Sequence, residues 1–418
     1  LQSFSGIGFS LTVLNFSLIM SEKTKVVLRS GKDDAIKRFH PWVFSGAIKK
    51  IYGPVHDGSL VEVFSNKDEY LGSGLYQDSS IAVRIMAFAP ERPELTDNDF
   101  WHKKLLNAWK LRESTGLTDN KDTNVYRLVH GEGDHLPGLI IDHYNGNLVI
   151  QAHAIGIHIY RHEIAESLKK IYGGNLKSIY YKSKDTLPGN FAQSKETEGF
   201  LFGDVPSDIV LEYGHNFEVD FIHGQKTGFF IDQRENRKLL ADFAKNRTVL
   251  NTFCYSGGFS VYALGAGASF VESLDSSGKA LELAEKNVKL NFPEANNHNV
   301  IQADAVQFIR ENKKNYDLII LDPPAFAKHT NVRHNAVQGY KRLNAEAIRQ
   351  ISPGGILFTF SCSQVVNMNL FKSTVMAAAI QAGRRVRILH QMTQAPDHPV
   401  NVFHPEGEYL KGLVLYID

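Results

Sequence analysis

Apolar residues along this chain recur with two different periods, and the places where the period changes divide it into regions. From Lys25 to about Ala89 short apolar runs (Val26 to Leu28, Leu60 to Phe64, Ile81 to Ile85) are separated by turn clusters at Gly53-Pro54, Asp57-Gly58 and Asn66-Lys67-Asp68. Short strands punctuated by turns predict a small β-barrel. The segment Pro90 to Pro93 then reads as a linker. Beyond it Phe100, Trp101, Leu105, Leu106 and Trp109 recur at helical spacing and predict a helix over Asp99 to Arg112. Strands near Val125 to Leu128 and Leu148 to Ala152 follow, so this middle region reads as α+β.

After about residue 215 strands alternate with helices. Thr248 to Phe253, Ser269 to Leu274, Asn299 to Gln302, Leu318 to Leu321 and Ile356 to Ser361 read as strands. Phe259 to Leu264, Ser277 to Leu290 and Gln338 to Gln350 read as helices between them. That alternation predicts a doubly wound parallel sheet, and the fold class is α/β with a β-barrel and an α+β region in front.

At 418 residues the chain is long enough for two or three cores. A hydrophobic share of 43% with 22% charged residues is that of a globular protein. The net charge of +1 confines any nucleic-acid surface to a local patch. Cys254 and Cys362 match no zinc spacing, which favours free thiols over a disulfide and a cytoplasmic setting. Residues 1 to 20 are apolar and Ser-rich without a basic n-region, so they read as an extension or loose tail, Met20 resembling a start. No segment has the apolar length of a membrane span, and no membrane partner or metal is expected.

The run Val249 to Phe259 sets Gly257-Gly258 between the first strand of the alternating region and its helix. Glycine there lets a ligand approach the backbone at the carboxyl end of the sheet, with Phe253 and Tyr255 beside it. The loop lacks G-x-G-x-x-G, so it suits a nucleoside with a cationic sulfonium better than a dinucleotide. Asp275 ends the next strand, where a carboxylate can accept from both ribose hydroxyls, and Asp304 follows the third, within reach of an adenine amine. Taken singly, each could equally be a turn or helix-cap residue.

Asp322-Pro323-Pro324-Ala325-Phe326 follows the strand Leu318 to Leu321. Two prolines force a stiff turn that projects Asp322 beside the methyl donor, a position suited to gripping a base. The same pattern also suits methylation of exocyclic amines. Cys362, after the strand Ile356 to Ser361, favours another chemistry. Carbon 5 of cytosine is a poor nucleophile until a thiolate adds to carbon 6. The alternative for Cys362 is a small packing residue at a strand end, the role expected of Cys254.

Several separated blocks carry a resemblance: Arg38 to Ile48, Gly131 to Leu139, His223 to Arg234, Phe360 to Ser363, Ala395 to Val400 and Pro405 to Gly412. Over Val26 to Asp418 the chain resembles the RlmI-type 23S rRNA cytosine-5 methyltransferases. The resemblance implies an N-terminal PUA domain that binds RNA, a central domain, and a Rossmann-like class I methyltransferase domain using S-adenosyl-L-methionine. The boundaries are then 1–22 for the tail, 23–92, 93–200 and 201–418. It also implies that Thr227, Phe229, Asp232 and Arg234 line the donor pocket, whereas the residues alone read as a turn entering a helix. The implied partners are 23S rRNA and, from the family, a second copy in a homodimer. Other readings are a guanine or adenine amine methyltransferase of the same fold, for which Cys362 is dispensable, a non-catalytic RNA-binding assembly factor, and a methyltransferase of proteins or small molecules.

Overall fold

The computed structural model describes residues 24–189, 196–312, 314–327 and 332–418, so the expected tail over 1–22 lies outside the described residues. The N-terminal module is a six-stranded sheet ordered Trp42–Phe44, Ile81–Phe88, Tyr70–Tyr76, Leu60–Phe64, Thr24–Leu28, Ile48–Tyr52. Neighbours are antiparallel except for the parallel pair Thr24–Leu28 and Leu60–Phe64. Alternate residues of the strands, including Val26, Leu28, Val61 and Val63, point to one face and build the module's own core.

The middle region holds five strands in the order Glu198–Phe202, Ser178–Lys182, Asn147–Ala152, Leu139–Tyr144, Val125–His130. Helices Asn98–Ser114 and Arg161–Tyr172 pack together over the same core. Asp97 caps the first of them, accepting from the Asp99 N–H at 2.9 Å. Buried Trp101 fixes its entry by donating to the Leu95 carbonyl at 2.8 Å.

A hairpin, Ser207–Glu212 with His215–Asp220, leads to a seven-stranded sheet ordered His298–Gln302, Phe270–Asp275, Thr248–Thr252, Tyr316–Leu321, Ile351–Ser361, Lys411–Ile417, Val386–Met392. The first five strands are parallel, and Lys411–Ile417 is antiparallel to both of its neighbours. Leu318 to Leu321 are fully buried because helices cover both faces of the parallel strands. The last two strands and the helix Met368–Ala382 were not anticipated from the pattern. Val386–Met392 is an edge strand with five consecutive exposed residues, which leaves no period-2 alternation to read.

Chain order reverses between Thr248–Thr252 and Tyr316–Leu321, which are hydrogen-bonded neighbours. The crevice at their carboxyl ends is the topological switch point where open α/β sheets bind ligands. Both the Gly257-Gly258 loop and the Asp322 turn open there.

The middle and C-terminal regions share a core: Val125, Tyr144 and Val149 pack in one cluster with Phe217, Val249 and Phe358. Asp397 joins them by polar contacts, accepting from Arg234 at 3.0 Å on each carboxylate oxygen and from the Arg127 N–H at 2.8 Å. Its carbonyl takes a bond from Arg112 at 2.7 Å, and Arg112 is also paired with Asp134. Among the described residues no helix is long and apolar enough to cross a membrane.

Candidate active site

The strand Thr248–Thr252 hands over to a loop held in unusual backbone conformations. Phe253 and Tyr255 are non-glycine residues at φ 55° and 45°, and Gly257 follows at 74°. Each non-glycine residue there costs roughly 1–3 kcal/mol, so the surrounding structure must hold the loop in place. The Tyr255 N–H donates to Asp275 Oδ2 at 3.1 Å, and its hydroxyl accepts from the Gln225 N–H at 3.1 Å. A Cβ on Gly257 would lie 2.9 Å from that of Ala284, and one on Gly258 2.9 Å from Arg237 Cδ. The paired glycines therefore let the loop press against two helices while its outer edge faces the crevice.

Asp275 uses one oxygen on Tyr255 and the other on the Ser277 N–H at 3.0 Å, which leaves lone pairs on both for further donors. Asp304 caps the helix Ala305–Glu311, accepting from the Gln307 N–H at 2.8 Å. Its second oxygen is open to an amine. Cys254 is buried with Leu281 and Ala284, and burial pushes its thiol far up, as suits a packing residue. Both cysteines are free thiols.

Across the crevice, Asp322 accepts from Gln233 Nε2 at 2.9 Å. Burial, with neighbouring Asp232, raises its carboxyl to about 7, against the pull of the Gln233 bond and the Lys226 ammonium. Asp232 receives the Tyr409 hydroxyl at 2.7 Å on Oδ2, while buried Oδ1 has no hydrogen-bond partner. Burial opposes its ionisation, but Lys226 and His398 outweigh it and hold the carboxyl below its usual range. An orphaned carboxylate oxygen beside the switch point is what a cationic ligand with an amino group would satisfy.

Cys362 sits where Ile351–Ser361 ends, and its Sγ lies 3.9 Å from the Pro323 carbonyl. Burial, then Asp322, pushes its thiol up to about 11, with Lys226 acting against them. Lys411 stands opposite Ser361 in the neighbouring strand. Its buried ammonium donates to the Ser363 carbonyl at 2.8 Å and the Tyr409 carbonyl at 2.6 Å. Burial lowers it to about 8, the Cys362 thiolate opposing that fall.

The segment from Thr227 to Arg234 is a turn and a short 3-10 stretch entering the helix Arg234–Ala244. Its four named residues divide by role. Asp232 joins the Asp322 cluster, and Phe229 packs in the shared core under the Arg237 guanidinium, at 4.7 Å. Thr227 donates to Asp142 at 2.6 Å and also lines the cavity where the three regions meet, while buried Arg234 is committed to Asp397. Lys226, Gln233, Tyr409 and Lys411 carry the site's electrostatics, and the sequence alone assigns them no role. They lie inside the family-like blocks, but no local spacing sets them apart from ordinary polar residues.

A cavity of about 780 Å³ extends from Asp232 and Lys226 to the meeting place of the three regions. Trp42 and Arg84 of the N-terminal sheet, and Arg127 and Lys182 of the middle one, line it.

Fold and site together define an S-adenosylmethionine-dependent methyltransferase that carries a PUA-like module. The family model of S-adenosylmethionine-dependent methyltransferases matches residues 200–399, and that of PUA-like domains matches residues 26–88. The chain is 40% identical to the ribosomal RNA large subunit methyltransferase I of Pseudoalteromonas atlantica, over 94% of this chain and 98% of the relative. It is 39% identical to that of Tolumonas auensis, over 94% and 99%. The chain belongs to the ribosomal RNA large subunit methyltransferase I family. A solved methyltransferase structure from Streptococcus mutans shares the fold, with a TM-score of 0.79 at 23% identity over 94% of this chain and 99% of that one.

Proposed function

We propose that this protein methylates carbon 5 of a cytosine in the RNA of the large ribosomal subunit, with Cys362 as nucleophile. The observation that carries the reading is the adjacency of a thiol and a near-neutral carboxyl at two neighbouring strand ends: Leu321 pairs with Thr359 in the sheet, and Cys362 reaches the Pro323 carbonyl. Methylation of an amine needs no thiol, whereas carbon 5 needs a nucleophile on carbon 6.

Gly257, Gly258, Phe253, Tyr255, Asp275 and Asp304 would hold the nucleoside part of S-adenosylmethionine, and Asp232 its amino group. Bound there, the cofactor supplies an electrophilic methyl group. Asp322 and Pro323 close the same pocket. The Cys362 thiolate forms a bond to carbon 6, which moves electron density onto carbon 5. After carbon 5 has been methylated, loss of its proton to a base restores the ring and breaks the sulfur–carbon bond. Asp322, ionised or protonated near pH 7, can accept from the cytosine amine or donate to N3. Lys226 opposes the burial that disfavours the thiolate. The base is flipped out of its RNA to reach this pocket, and the cavity edged by Arg84, Arg127 and Lys182 offers cations to the flanking phosphates. In this reading 23–92 is the RNA-binding module, 93–200 the central domain and 201–418 the catalytic domain.

RNA containing 5-fluorocytidine tests the chemistry. Fluorine on carbon 5 cannot leave as a proton, so the proposed enzyme stays covalently attached to the RNA on a denaturing gel. Turnover of that RNA without an adduct would favour amine methylation.

A further inference from the structure

A second group of ligand-type side chains lies where the N-terminal module meets the C-terminal loop, apart from the Cys362 cluster. His40 precedes the strand Trp42–Phe44, while His404 and Glu406 flank Pro405 at the short 3-10 turn Pro405–Gly407. One ligand atom from each of the three falls within 4.8 Å of the others. His40 Nε2 is 3.6 Å from Glu406 Oε1, and His404 Nε2 is 3.8 Å from Glu406 Oε2.

Those separations are too long for hydrogen bonds, which close at about 2.7–3.2 Å. They are close to the edge of a tetrahedron of ligands about 2.0–2.1 Å from a zinc-sized ion, roughly 3.3 Å. The second observation is independent. His404 is 3% exposed, and neither of its ring nitrogens has a hydrogen-bond partner. A buried N–H or ring nitrogen left unmet costs about 1–3 kcal/mol, a cost that a ligand on Nε2 would remove.

We propose that His40, His404 and Glu406 form a binding site for a divalent transition metal of the zinc class, with water completing the coordination. Two imidazoles and a carboxylate are a donor set such ions accept, whereas calcium or magnesium would want oxygen ligands throughout. The His40 ring is already aimed. Its Nδ1 lies against the Trp42 main chain, 3.4 Å from the carbonyl and 3.2 Å from the N–H, which turns Nε2 toward Glu406. Ligation through Nε2 places the ring proton on Nδ1, so the bond that Nδ1 accepts from the Trp42 N–H is exchanged for one donated to the Trp42 carbonyl, the usual outer support of a metal-bound histidine.

The site joins elements from opposite ends of the chain and braces Trp42. The Trp42 ring packs against His404 at 4.3 Å, and its Nε1 donates to Glu132 at 2.8 Å on the rim of the large cavity. The metal therefore acts as a clamp that holds the N-terminal module against the catalytic domain, with no part in methyl transfer.

The test uses the full-length chain, stripped with a chelator and titrated with Co²⁺ and then Zn²⁺. One equivalent of Co²⁺ gives the intense visible absorption of a four-coordinate ion, Zn²⁺ displaces it, and Zn²⁺ raises the melting temperature. His404→Phe, which keeps a ring against Trp42, and Glu406→Gln each weaken binding by at least about tenfold. His390→Ala, at an exposed histidine elsewhere, leaves binding unchanged. Uptake that does not saturate at one equivalent, or that survives in a folded His404→Phe variant, overturns the proposal and marks adventitious binding.

Discussion

The Cys362 thiol lies 3.9 Å from the Pro323 carbonyl, so the end of one strand and the turn after its neighbour form a single wall. If Cys362 adds to the base, Cys362→Ala lowers methyl transfer by at least about a thousandfold. S-adenosylmethionine binding by calorimetry stays close to that of the parent, because the donor loop lies across the crevice. Substantial turnover in Cys362→Ala would end the covalent reading and leave the amine alternative.

The Lys226 ammonium counters the burial and the Asp322 charge that push the Cys362 thiol up to about 11. Removing that charge in Lys226→Met makes the Cys362 thiolate harder to form. The pH midpoint of Cys362 alkylation by iodoacetamide should rise, and a rise of one pH unit slows the reaction about tenfold at any pH below it. A midpoint that does not move would mean that Lys226 does not act on the thiol.

Asp322 is a carboxyl whose folded value, about 7, lies above its usual 3.8. The folded state then keeps its proton while the unfolded chain has lost it, so this group lowers stability as pH rises from about 4. The loss is complete above about 7, where both states are ionised, and amounts to roughly 4 kcal/mol. Asp322→Asn removes the penalty and retains an acceptor for Gln233. In urea unfolding the variant's gain over the parent grows between about pH 4 and 7, and a difference independent of pH would refute the assignment.

Arg234 and Asp397 form a buried ion pair between the helix Arg234–Ala244 and the C-terminal loop. Burial opposes ionisation of Asp397, but His398 and Arg234 outweigh it and hold the carboxyl well below the usual range. Arg234→Met leaves that charge buried without its fork partner and costs about 3–5 kcal/mol, read as a lower urea midpoint. A change below about 1 kcal/mol would mean that the remaining donors on Asp397 suffice.

The pattern of apolar residues was enough for the β-module, the α+β middle and the alternating sheet, because strand and helix periods are local properties of the chain. That the glycine loop, Asp275, Asp322 and Cys362 stand along one edge was legible for a related reason: in a parallel sheet, residues that follow the strands gather there. What local pattern could not supply were the contacts made across the fold. Arg234 stands in the same block as Asp232, yet it turns away to Asp397 while Asp232 meets Tyr409. Lys411 becomes a neighbour of Cys362 only because the last strand inserts antiparallel beside Ile351–Ser361. His40 meets His404 only because the chain's two ends fold together. The sequence by itself determined the elements whose period is plain and which side chains stand at their ends, but not the edge strand Val386–Met392, whose exposed residues show no alternation. The tertiary structure decided which charges are buried together, since burial and distance between remote residues set the electrostatics of the site.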